Sequence, residues 1–577
     1  MLRYIRDFRL AWKQYLAVFL VVDLVFKLLV VPLFNNLTSL LLYLGNIPYI
    51  SYTNILQVIT SHPFVTIGLL LELFCLIVFV FTQFALLLNG VARIEKKQFS
   101  FRSVLHDTFS QLRHLDPRGI FFFTFYFLLI VPFSGLFFKS PLLSKIVIPE
   151  FILDFILKNP LYTSLIALFY VIVFIISIRL LYVLPVLLLK QQTLKKAIST
   201  SIQLTKGRFI FFNLKFLKLS LLAFSGNFLL LGVLYLFQTW FDQFPDLIAL
   251  SAGIVNVSLL QLGSFLITIW VSATVIRLIL PNNFELSTYK VVKKSRLERS
   301  SRLLIFIFST IILINNGLYL VSIENTPLII SHRGVDNENG VQNTIPALQK
   351  TAKVKPDYVE IDVQETKDHR FVVMHDENLK KLASRDVSPQ DLTLAQLTAL
   401  TVRENGHSAK IASLDEYLSE AKRYNQKLLV EIKTTKRDSK QMLPNFFKEY
   451  GTRLLRQDAQ LQSLDYAVIT AAKKYTPKLE SYYILPYNFI FPQTRANGYT
   501  MEKTTLNLSF VTQARLSLKR VYSWTVNDED SFKQAAYLDV DGVITDNVTE
   551  AKQVYRELKT KSTYASRLLD YLILFPN

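Results

Sequence analysis

The sequence has almost no cysteine. Cys75 is the only one among 577 residues, and it lies inside a long apolar run. The chain therefore forms no intrachain disulfide and no cysteine-based zinc site. Residues 323–577 have no cysteine at all. If that part lies outside the cell, it keeps its fold without disulfides.

The second part of the chain also lacks a large excess of either charge. Residues 1–322 hold 29 Lys and Arg against 12 Asp and Glu, whereas residues 323–577 hold 35 against 32. The net charge of +20 therefore belongs mainly to the first part. A nucleic-acid footprint needs a basic patch on a soluble face. Basic loops beside membrane spans explain this charge instead, so we expect no nucleic-acid partner.

Long apolar runs fill the first 322 residues. A bilayer core of about 30 Å needs about 20 apolar residues at a rise of 1.5 Å each. An all-α transmembrane bundle of about seven spans is predicted by the runs 14–34, 64–90, 119–138, 161–189, 219–239, 253–280 and 303–322. No convincing cleavage site follows the first run, so we expect it to stay as a membrane anchor.

The loops between these runs alternate in charge. Loops 35–63 and 240–252 have no Lys or Arg, whereas loops 91–118, 190–218 and 281–302 have six or seven each. The positive-inside rule then predicts a multi-pass protein of the cell membrane with a cytoplasmic N-terminus. Residues 323–577 are predicted to lie outside the cell.

Some charged residues lie inside the apolar runs. Asp23 and Lys27 are four residues apart and can pair on one helix face, and Glu72 and Arg179 lie in later runs. Intramembrane charges are functional candidates by default. The alternatives are pairing that holds the bundle together, or a path for lipid or substrate.

From residue 327 onwards, short apolar strands alternate with amphipathic helices. Candidate strands are 327–331, 357–363, 371–375, 427–432, 465–470, 480–485, 505–508, 519–525 and 542–545. This alternation over about 250 residues predicts an α/β (β/α)8 TIM barrel, with one of the nine strands surplus or in a hairpin. We therefore divide the chain into a membrane domain, 1–322, and a barrel domain, 323–577.

Residues 331–376 concentrate chemically useful side chains. Glu360 and Asp362 lie two residues apart on a predicted strand and so point to the same side, which suits a hard divalent cation. His332 and His375 suit proton transfer in both directions, and Arg333 suits a phosphate. In barrels such residues gather at the C-terminal ends of strands.

A second pair extends this set. Glu431 and Lys433 share one face of the strand 427–432. Glu360, Asp362 and Glu431 are then predicted to bind one divalent cation, with Ca²⁺ or Mg²⁺ favoured by all-oxygen ligands. Arg333 and Lys433 are predicted to hold the substrate phosphate.

These residues carry a resemblance to the glycerophosphodiester phosphodiesterase family, in its membrane-anchored bacterial form with an N-terminal multi-span domain. The matching motifs cover residues 327–550: His332-Arg333-Gly334, Asn343-Thr344, Glu360/Asp362, Thr366-Lys367-Asp368, His375-Asp376, Glu431-Ile432-Lys433, Trp524–Asn527 and Asp541–Asp546. The resemblance independently implies the barrel, the three acidic metal ligands and an acid–base role for both histidines.

Two further residues have two interpretations each, and one departs from the family pattern. Asn343 caps the helix that follows it or faces the site, and Trp524 is a core aromatic or a wall of a glycerol pocket. Many family members have Glu where this chain has Gln342. Gln342 supplies no negative charge, which affects metal affinity or preference if that Glu supports the metal.

The resemblance implies metal-dependent hydrolysis of glycerophosphodiesters to glycerol 3-phosphate and an alcohol on the extracellular side. One histidine takes a proton from the attacking hydroxyl and the other protonates the leaving alkoxide. The attacker is either water or a glycerol hydroxyl that first forms a cyclic phosphate. Candidate substrates are deacylated phospholipid head groups, lysolipids and glycerophosphate polymers beside the lipid bilayer.

Two alternatives stay open on the sequence. One is a related phospholipase D-like or phosphoinositide-cleaving phosphodiesterase. The other is a transport or binding protein whose barrel only binds ligand.

Overall fold

The computed structural model of the chain describes residues 2–50, 54–113, 122–126, 148–281, 297–321, 326–488 and 490–574. Contacts divide the chain into two compact units. The first comprises chiefly Met1–Ile47 and Leu56–Gly317, and the second chiefly Pro48–Ile55 and Leu318–Pro576. The domain division that we predict at residues 322 and 323 stays a prediction.

The first unit is helical. Its described helices are Leu2–Val25, Val31–Leu44, Ile55–Ser61, Pro63–Glu95, Phe101–Arg113, Glu150–Leu157, Pro160–Arg179, Val183–Leu189, Leu194–Thr205, Phe209–Phe241, Asp246–Ile279 and Leu297–Val321. Within the described residues, five stretches are long and apolar enough to cross a membrane: Tyr4–Leu44, Pro63–Glu95, Pro160–Leu189, Phe209–Phe241 and Asp246–Ile279.

Five of the seven predicted spans therefore coincide with stretches that are long and apolar enough to cross a membrane. The third predicted run, 119–138, lies almost entirely outside the described residues. The seventh, 303–322, falls on the helix Leu297–Val321, whose apolar part is only Ser309–Val321. That part is shorter than the roughly 20 residues a crossing needs.

Several polar groups inside the helical unit are paired. Lys27 Nζ lies 3.1 Å from Asp23 Oδ2, which confirms the predicted pair. Arg93 donates from Nε and Nη2 to the two oxygens of Asp107, at 2.7 and 3.0 Å, and both residues are buried. Glu72 accepts a hydrogen bond from a threonine hydroxyl on the preceding long helix. Of the intramembrane charges that the sequence singles out, Glu72 is therefore held between two helices, whereas Asp23 and Lys27 pair within one helical stretch.

The second unit is a closed barrel. Its strands are β1 Leu328–Ser331, β2 Tyr358–Glu365, β3 Phe371–Val373, β4 Thr401–Glu404, β5 His407–Lys410, β6 Leu428–Ile432, β7 Gln460–Ser463, β8 Ser481–Leu485, β9 Gly498–Glu502, β10 Arg520–Trp524 and β11 Gly542–Thr545. Eight of them are parallel in the order β1-β11-β10-β9-β8-β7-β6-β2, and β1 also pairs with β2, which closes the ring. The predicted (β/α)8 architecture is confirmed.

The helices of the barrel alternate with these strands. They are Ile345–Thr351, Lys380–Ala383, Leu394–Ala399, Leu414–Arg423, Met442–Arg456, Tyr466–Tyr475, Leu508–Leu516, Glu529–Tyr537, Val548–Lys561 and Tyr564–Leu574. The surplus strand is β3, which pairs antiparallel with the end of β2 as a hairpin. β4 and β5 form a separate antiparallel hairpin in the segment between β3 and β6, which we call the excursion.

Two of the predicted strands are wrong. Residues 465–470 belong to the helix Tyr466–Tyr475, which Asp465 begins by accepting a hydrogen bond from the Ala467 N–H. Residues 505–508 lead into the helix Leu508–Leu516, capped in the same way by Asn507. Apolar β-branched runs favour strands, but an N-terminal cap stabilises a helix over the same residues.

A compact core fills the barrel interior. Ile330, Leu429, Tyr482, Tyr522 and Ile544 are buried together there, each from a different strand. The rings of Tyr482 and Tyr522 stack with centroids 4.5 Å apart. Since side chains fill the middle of the barrel, a ligand is accommodated only at its end, where the strands lead into loops.

Candidate active site

Three carboxylates meet at the C-terminal ends of two neighbouring strands. Glu360 and Asp362 lie on β2, and the parallel pairing of β2 with β6 sets Glu431 opposite Asp362. One oxygen of each residue lies within 4.8 Å of one oxygen of the other two, and all three residues are buried. The strand register therefore brings the predicted acidic set together.

Two cations lie against these carboxylates. Lys433 Nζ is 2.9 Å from Glu431 Oε1 and 3.2 Å from Asp362 Oδ1. Arg333 Nε is 3.6 Å from Asp362 Oδ2. With three carboxylates ionised against two cations, the cluster has one uncompensated negative charge. Burying such a charge is costly.

The pKa values show where this excess falls. Burial raises the pKa of Glu360 well above its usual value, and the charges of Asp362 and Glu431 raise it further. Burial also acts to raise the pKa of Asp362, but Lys433 and other nearby cations outweigh it and lower that pKa. Burial opposes the charge of Lys433, yet Glu431 and Asp362 raise its pKa. The protonated form of Glu360 is therefore favoured when no cation is bound.

This donor set fits a divalent cation. Its ligands would be oxygens of Glu360, Asp362 and Glu431, and hard cations such as Ca²⁺ and Mg²⁺ prefer carboxylate oxygens. A cation would also compensate the excess negative charge and favour the ionised form of Glu360.

His332 follows β1 and is held by an anion. Its Nδ1 lies 2.8 Å from Asp546 Oδ1, and Asn527 Nδ2 donates to Asp546 Oδ2 at 2.7 Å. Although burial opposes it, the charge of His332 and these hydrogen bonds hold the pKa of Asp546 at about 2. Asp546 is thus ionised near neutral pH. It fixes the ring through Nδ1 and leaves Nε2 for substrate.

His375 follows β3 and has a similar arrangement. Its Nδ1 lies 2.9 Å from Asp376 Oδ1. Gln364 Nε2 lies 3.0 Å, 3.1 Å and 3.0 Å from the carbonyl oxygens of Met374, His375 and Asp376, and so fastens this loop to β2. Burial lowers the pKa of His375 and outweighs the opposing effect of Asp376. Its neutral form is therefore favoured near neutral pH.

The turn after β1 aims Arg333 at the acidic cluster. Arg333 has a φ of +51°, and its N–H donates to Glu360 Oε2 at 2.9 Å. Gly334 follows with a φ of +71°, and a Cβ there would meet the Tyr417 hydroxyl at 2.6 Å. The glycine is therefore required both by its conformation and by the space available.

Gln342 links Arg333 to a carboxylate from the excursion. Arg333 Nη1 donates to Gln342 Oε1 at 2.7 Å, and Gln342 Nε2 donates to Glu404 Oε1 at 2.7 Å. Glu404 ends β4. The negative charge that a Glu at position 342 would bring is thus present one side chain further away.

The hydrogen bonds that join Arg333 to Gln342 and Gln342 to Glu404 can be tested by exchanging the side chains at positions 342 and 404. Gln342→Glu sets a second carboxylate against Glu404, so we expect lower turnover and a lower thermal midpoint. Adding Glu404→Gln removes the repulsion while keeping a carboxylate beside Arg333, so the double variant should recover. We expect an interaction free energy of about 0.5–3 kcal/mol in the double-mutant cycle. Additive losses would show that Gln342 and Glu404 act separately.

A cavity of about 120 Å³ lies at this end of the barrel. It is lined by His332, Arg333, Glu360, Asp362, His375, Glu431, Lys433, Gln462, Leu464, Ile484, Thr500, Trp524 and Ile544. Eight of the nine sequence-predicted site residues are among them. Both histidines, the acidic set and the two cations therefore share one space.

The structure places Trp524 and Asn343, for which the sequence left two interpretations each. Trp524 lines the cavity, and its Nε1 donates to the Thr500 carbonyl at 3.2 Å, which fits a pocket wall. Asn343 Nδ2 donates to Asp362 Oδ2 at 2.8 Å, whereas the N-cap of the next helix is Thr344. The capping interpretation of Asn343 is therefore wrong. Its φ of +59° turns the side chain toward the barrel instead.

Sequence reasoning missed some residues around the site. Gln462 Nε2 lies 3.4 Å from Glu360 Oε1 and 3.3 Å from Glu431 Oε2. Gln462 lies on β7, a strand that the sequence pattern did not predict. Glu404 and Gln364 gave no signal of their own, although Gln364 shares a strand face with Glu360 and Asp362.

Sequence comparisons match both parts of the chain. Residues 1–316 match the family described as the membrane domain of glycerophosphoryl diester phosphodiesterase, and residues 332–550 match the glycerophosphoryl diester phosphodiesterase family. A glycerophosphodiester phosphodiesterase of Caldanaerobacter subterraneus is 25% identical over 232 residues, which are 38% of this chain and 94% of that protein. A lysophospholipase D of Homo sapiens is 24% identical over 266 residues, covering 39% of this chain and 84% of that protein.

Solved structures also match part of the chain. A phosphodiesterase of Oleispira antarctica in complex with the product sn-glycerol-3-phosphate is 19% identical, with a TM-score of 0.36. The match covers 40% of this chain and 97% of that one. Because the membrane-domain match extends over more than half of its length and the barrel matches the second family description, this chain belongs to the glycerophosphoryl diester phosphodiesterase family and is a phosphoric diester hydrolase with a membrane domain.

Proposed function

We propose that this chain hydrolyses glycerophosphodiesters to glycerol 3-phosphate and an alcohol, with a divalent cation bound by Glu360, Asp362 and Glu431. The observation that carries the proposal is the shared cavity. In it, two histidines, each held at Nδ1 by an aspartate, lie beside a buried acidic set and two cations. This combination supplies proton transfer and phosphate binding at one place.

The side chains of the cavity have different roles in binding the substrate. A bound cation supplies positive charge to the phosphate oxygens as negative charge grows on them. Arg333 and Lys433 hold the phosphodiester from the same side, since both lie against the acidic set. Trp524 and Thr500 form the wall opposite the two strands that carry the acids, where a glycerol group would fit.

The histidines have different tasks. The pKa of His375 is lowered, so its neutral ring is available to take a proton from the attacking hydroxyl. His332 is held at Nδ1 by Asp546, which leaves Nε2 to protonate the leaving alkoxide. The attacker is water or the glycerol hydroxyl, and the second choice gives a cyclic phosphate first. A pulse of substrate followed by product analysis distinguishes them through this intermediate.

The test uses the full-length protein in detergent. We would incubate it with glycerophosphocholine, glycerophosphoethanolamine or a lysophospholipid, with and without EDTA, and quantify glycerol 3-phosphate. Cation-dependent release that His332→Ala abolishes supports the proposal. Release of phosphocholine instead of glycerol 3-phosphate would favour a phospholipase C-like cleavage, and no release with any cation would contradict the proposal.

We also propose that the barrel lies outside the cell. The support is the alternation of basic and non-basic loops along the first 322 residues. A cysteine introduced at exposed Leu518, in a Cys75→Ser background, would test this. Labelling of intact cells by a membrane-impermeant maleimide is expected. Labelling only after lysis would place the barrel in the cytoplasm.

A further inference from the structure

The helical unit contains a second cavity, of about 350 Å³. It is lined by Phe19, Val22, Asp23, Lys27, Gln83, Leu87, Gln261, Leu262, Phe265, Thr268, Ile269, Ser272 and Ile312. Asp23 and Lys27 fall in the middle of the stretch Tyr4–Leu44, which is long and apolar enough to cross a membrane, and we therefore assign the cavity to bilayer depth. Its volume is within the range of ligand pockets, about 300–1,000 Å³.

The charged pair faces this cavity. Lys27 Nζ lies 3.1 Å from Asp23 Oδ2, and the Asp23 side chain is only 18% exposed. The Lys27 side chain is 55% uncovered by protein. Charges at bilayer depth are costly and are usually functional. Both members of this pair lie on one continuous helical stretch, so it does not connect two helices as Arg93 and Asp107 do.

The backbone at Lys27 is irregular. A single π-helical turn, Phe26–Val30, interrupts the helix there, and the Val31 N–H donates to the Phe26 carbonyl. Such turns are rare and frequently occur at functional sites, because the extra residue re-aims a side chain. This turn carries Lys27 and begins three residues after Asp23. It is a second observation, independent of the charges, that indicates a ligand here.

The facing helix supplies uncharged polar groups. Gln261, Thr268 and Ser272 are spaced by seven and four residues and so share one face of the helix Asp246–Ile279. Gln261 is fixed by Asn316: Gln261 Nε2 donates to Asn316 Oδ1 at 2.9 Å, and Asn316 Nδ2 donates to Gln261 Oε1 at 3.1 Å. Phe265 lies between them and gives the same wall an apolar part.

We propose that this cavity binds a membrane lipid with an uncharged, hydroxyl-bearing head, such as an acylglycerol or a glycosylated diacylglycerol. The head would lie among Asp23, Lys27 and Gln261, and an acyl chain would follow Phe19 and Phe265. The proposal goes beyond the proposed function of the barrel and stands without it.

The charge of the lining disfavours a lipid with an anionic head. Asp23 and Lys27 sum to zero, and the remaining polar groups are amides and hydroxyls that both donate and accept. An anionic head would compete with Asp23 for Lys27 and leave one negative charge uncompensated in a low-dielectric space. A polyol uses these donors and acceptors without adding charge.

The experiment is photo-crosslinking of the full-length protein in lipid nanodiscs with a diazirine-bearing monoacylglycerol. Adducts are expected on peptides that contain Asp23 or Thr268. An excess of unlabelled monoacylglycerol or galactosyl diacylglycerol should displace the probe, and their relative strength shows which head is preferred. Phosphatidylglycerol should not displace it. Equal displacement by phosphatidylglycerol, or adducts spread evenly over the spans, would overturn the proposal.

Substitutions in the cavity lining give a second, independent test of the lipid site. Asp23→Asn and Gln261→Leu are expected to reduce the adduct about three- to tenfold, since each removes hydrogen bonds to the head. Glu72→Gln is the matched control, because Glu72 is a carboxyl of the same unit outside the cavity lining. Thr268→Val tests the wall at nearly constant volume if the other variants do not fold. Unchanged adduct in folded variants would also overturn the proposal.

Barrel turnover separates this inference from the proposed function. The cavity variants should keep their turnover of water-soluble glycerophosphodiesters, because none of the changed residues lies in the barrel. Lost labelling with kept turnover supports a distinct lipid site. Kept labelling in a barrel variant without turnover, such as His332→Ala, would support the lipid site even if the barrel acts on another substrate.

Discussion

His332→Ala is expected to lower turnover of glycerophosphocholine by about 10²–10⁴-fold, the usual contribution of a general acid or base. A choline alkoxide is a poor leaving group near neutral pH and must be protonated as it departs. The same variant should lose far less turnover with a p-nitrophenyl phosphodiester, because nitrophenolate leaves without a proton. The measurement is kcat/KM for both substrates in the variant and in the unchanged protein.

His375→Ala is the matched comparison. If His375 takes the proton from the attacking hydroxyl, its loss should slow both substrates by similar factors, since neither leaving group replaces a base. Equal effects of the two variants on both substrates would contradict the division of tasks. If the p-nitrophenyl phosphodiester restored turnover in His375→Ala but not in His332→Ala, the two histidines would have the opposite roles.

The pH profile provides a further check on this pair. Burial lowers the pKa of His375, so the acid side of the profile should fall below the usual histidine value of 6.5. Asp546→Asn removes the anion that holds the His332 ring at Nδ1. Turnover of glycerophosphocholine should then fall much more than turnover of the p-nitrophenyl phosphodiester, because only the choline leaving group needs a proton. A purely structural role of Asp546 would lower turnover of both substrates by similar factors.

Much of this site follows from short-range rules that a sequence displays. Glu360 and Asp362 point to one side because a strand repeats every two residues, and Glu431 falls beside them because parallel strands end at the same rim. The turn at Arg333 and Gly334 directly follows a predicted strand. These features need only the order of the strands and the alternation along them.

The residues that sequence reasoning missed depend on tertiary packing. Glu404 lies 62 positions after Gln342 and reaches it only because the β4–β5 hairpin folds back over the barrel end. The position of such a hairpin is set by its packing around Leu397 and Val402, which no local pattern encodes. The same limit applies to Asp465 and Asn507, whose capping hydrogen bonds outweigh the strand preference of the residues that follow.

The second large effect is expected when the cation is removed from the three carboxylates Glu360, Asp362 and Glu431. Chelation with EDTA is expected to abolish turnover, because no cation would then oppose the negative charge that grows on the phosphate. It should also lower the thermal midpoint of the full-length protein in detergent. A cation present at 100 times its Kd stabilises the folded state by about 2.7 kcal/mol.

The loss of stability on chelation should grow with pH. Without a cation, the folded protein holds a proton on Glu360, whose pKa is raised well above 4.5 by burial and by Asp362 and Glu431. Above pH 4.5 the unfolded chain releases that proton, so the folded state binds more protons and its free energy of unfolding falls as pH rises. A bound cation favours the ionised carboxyl and removes this slope.

Glu360→Gln isolates this effect. The variant should lose turnover and the stabilisation by cation, while its cation-free midpoint should no longer fall with pH between 5 and the raised pKa, because the titrating proton is gone. Asp386→Asn is the control, since Asp386 is an exposed carboxyl outside the cavity, and it should behave as the unchanged protein. A midpoint that is indifferent to Ca²⁺, Mg²⁺ and EDTA at every pH would show that the three carboxylates hold Lys433 and Arg333 in place rather than a metal.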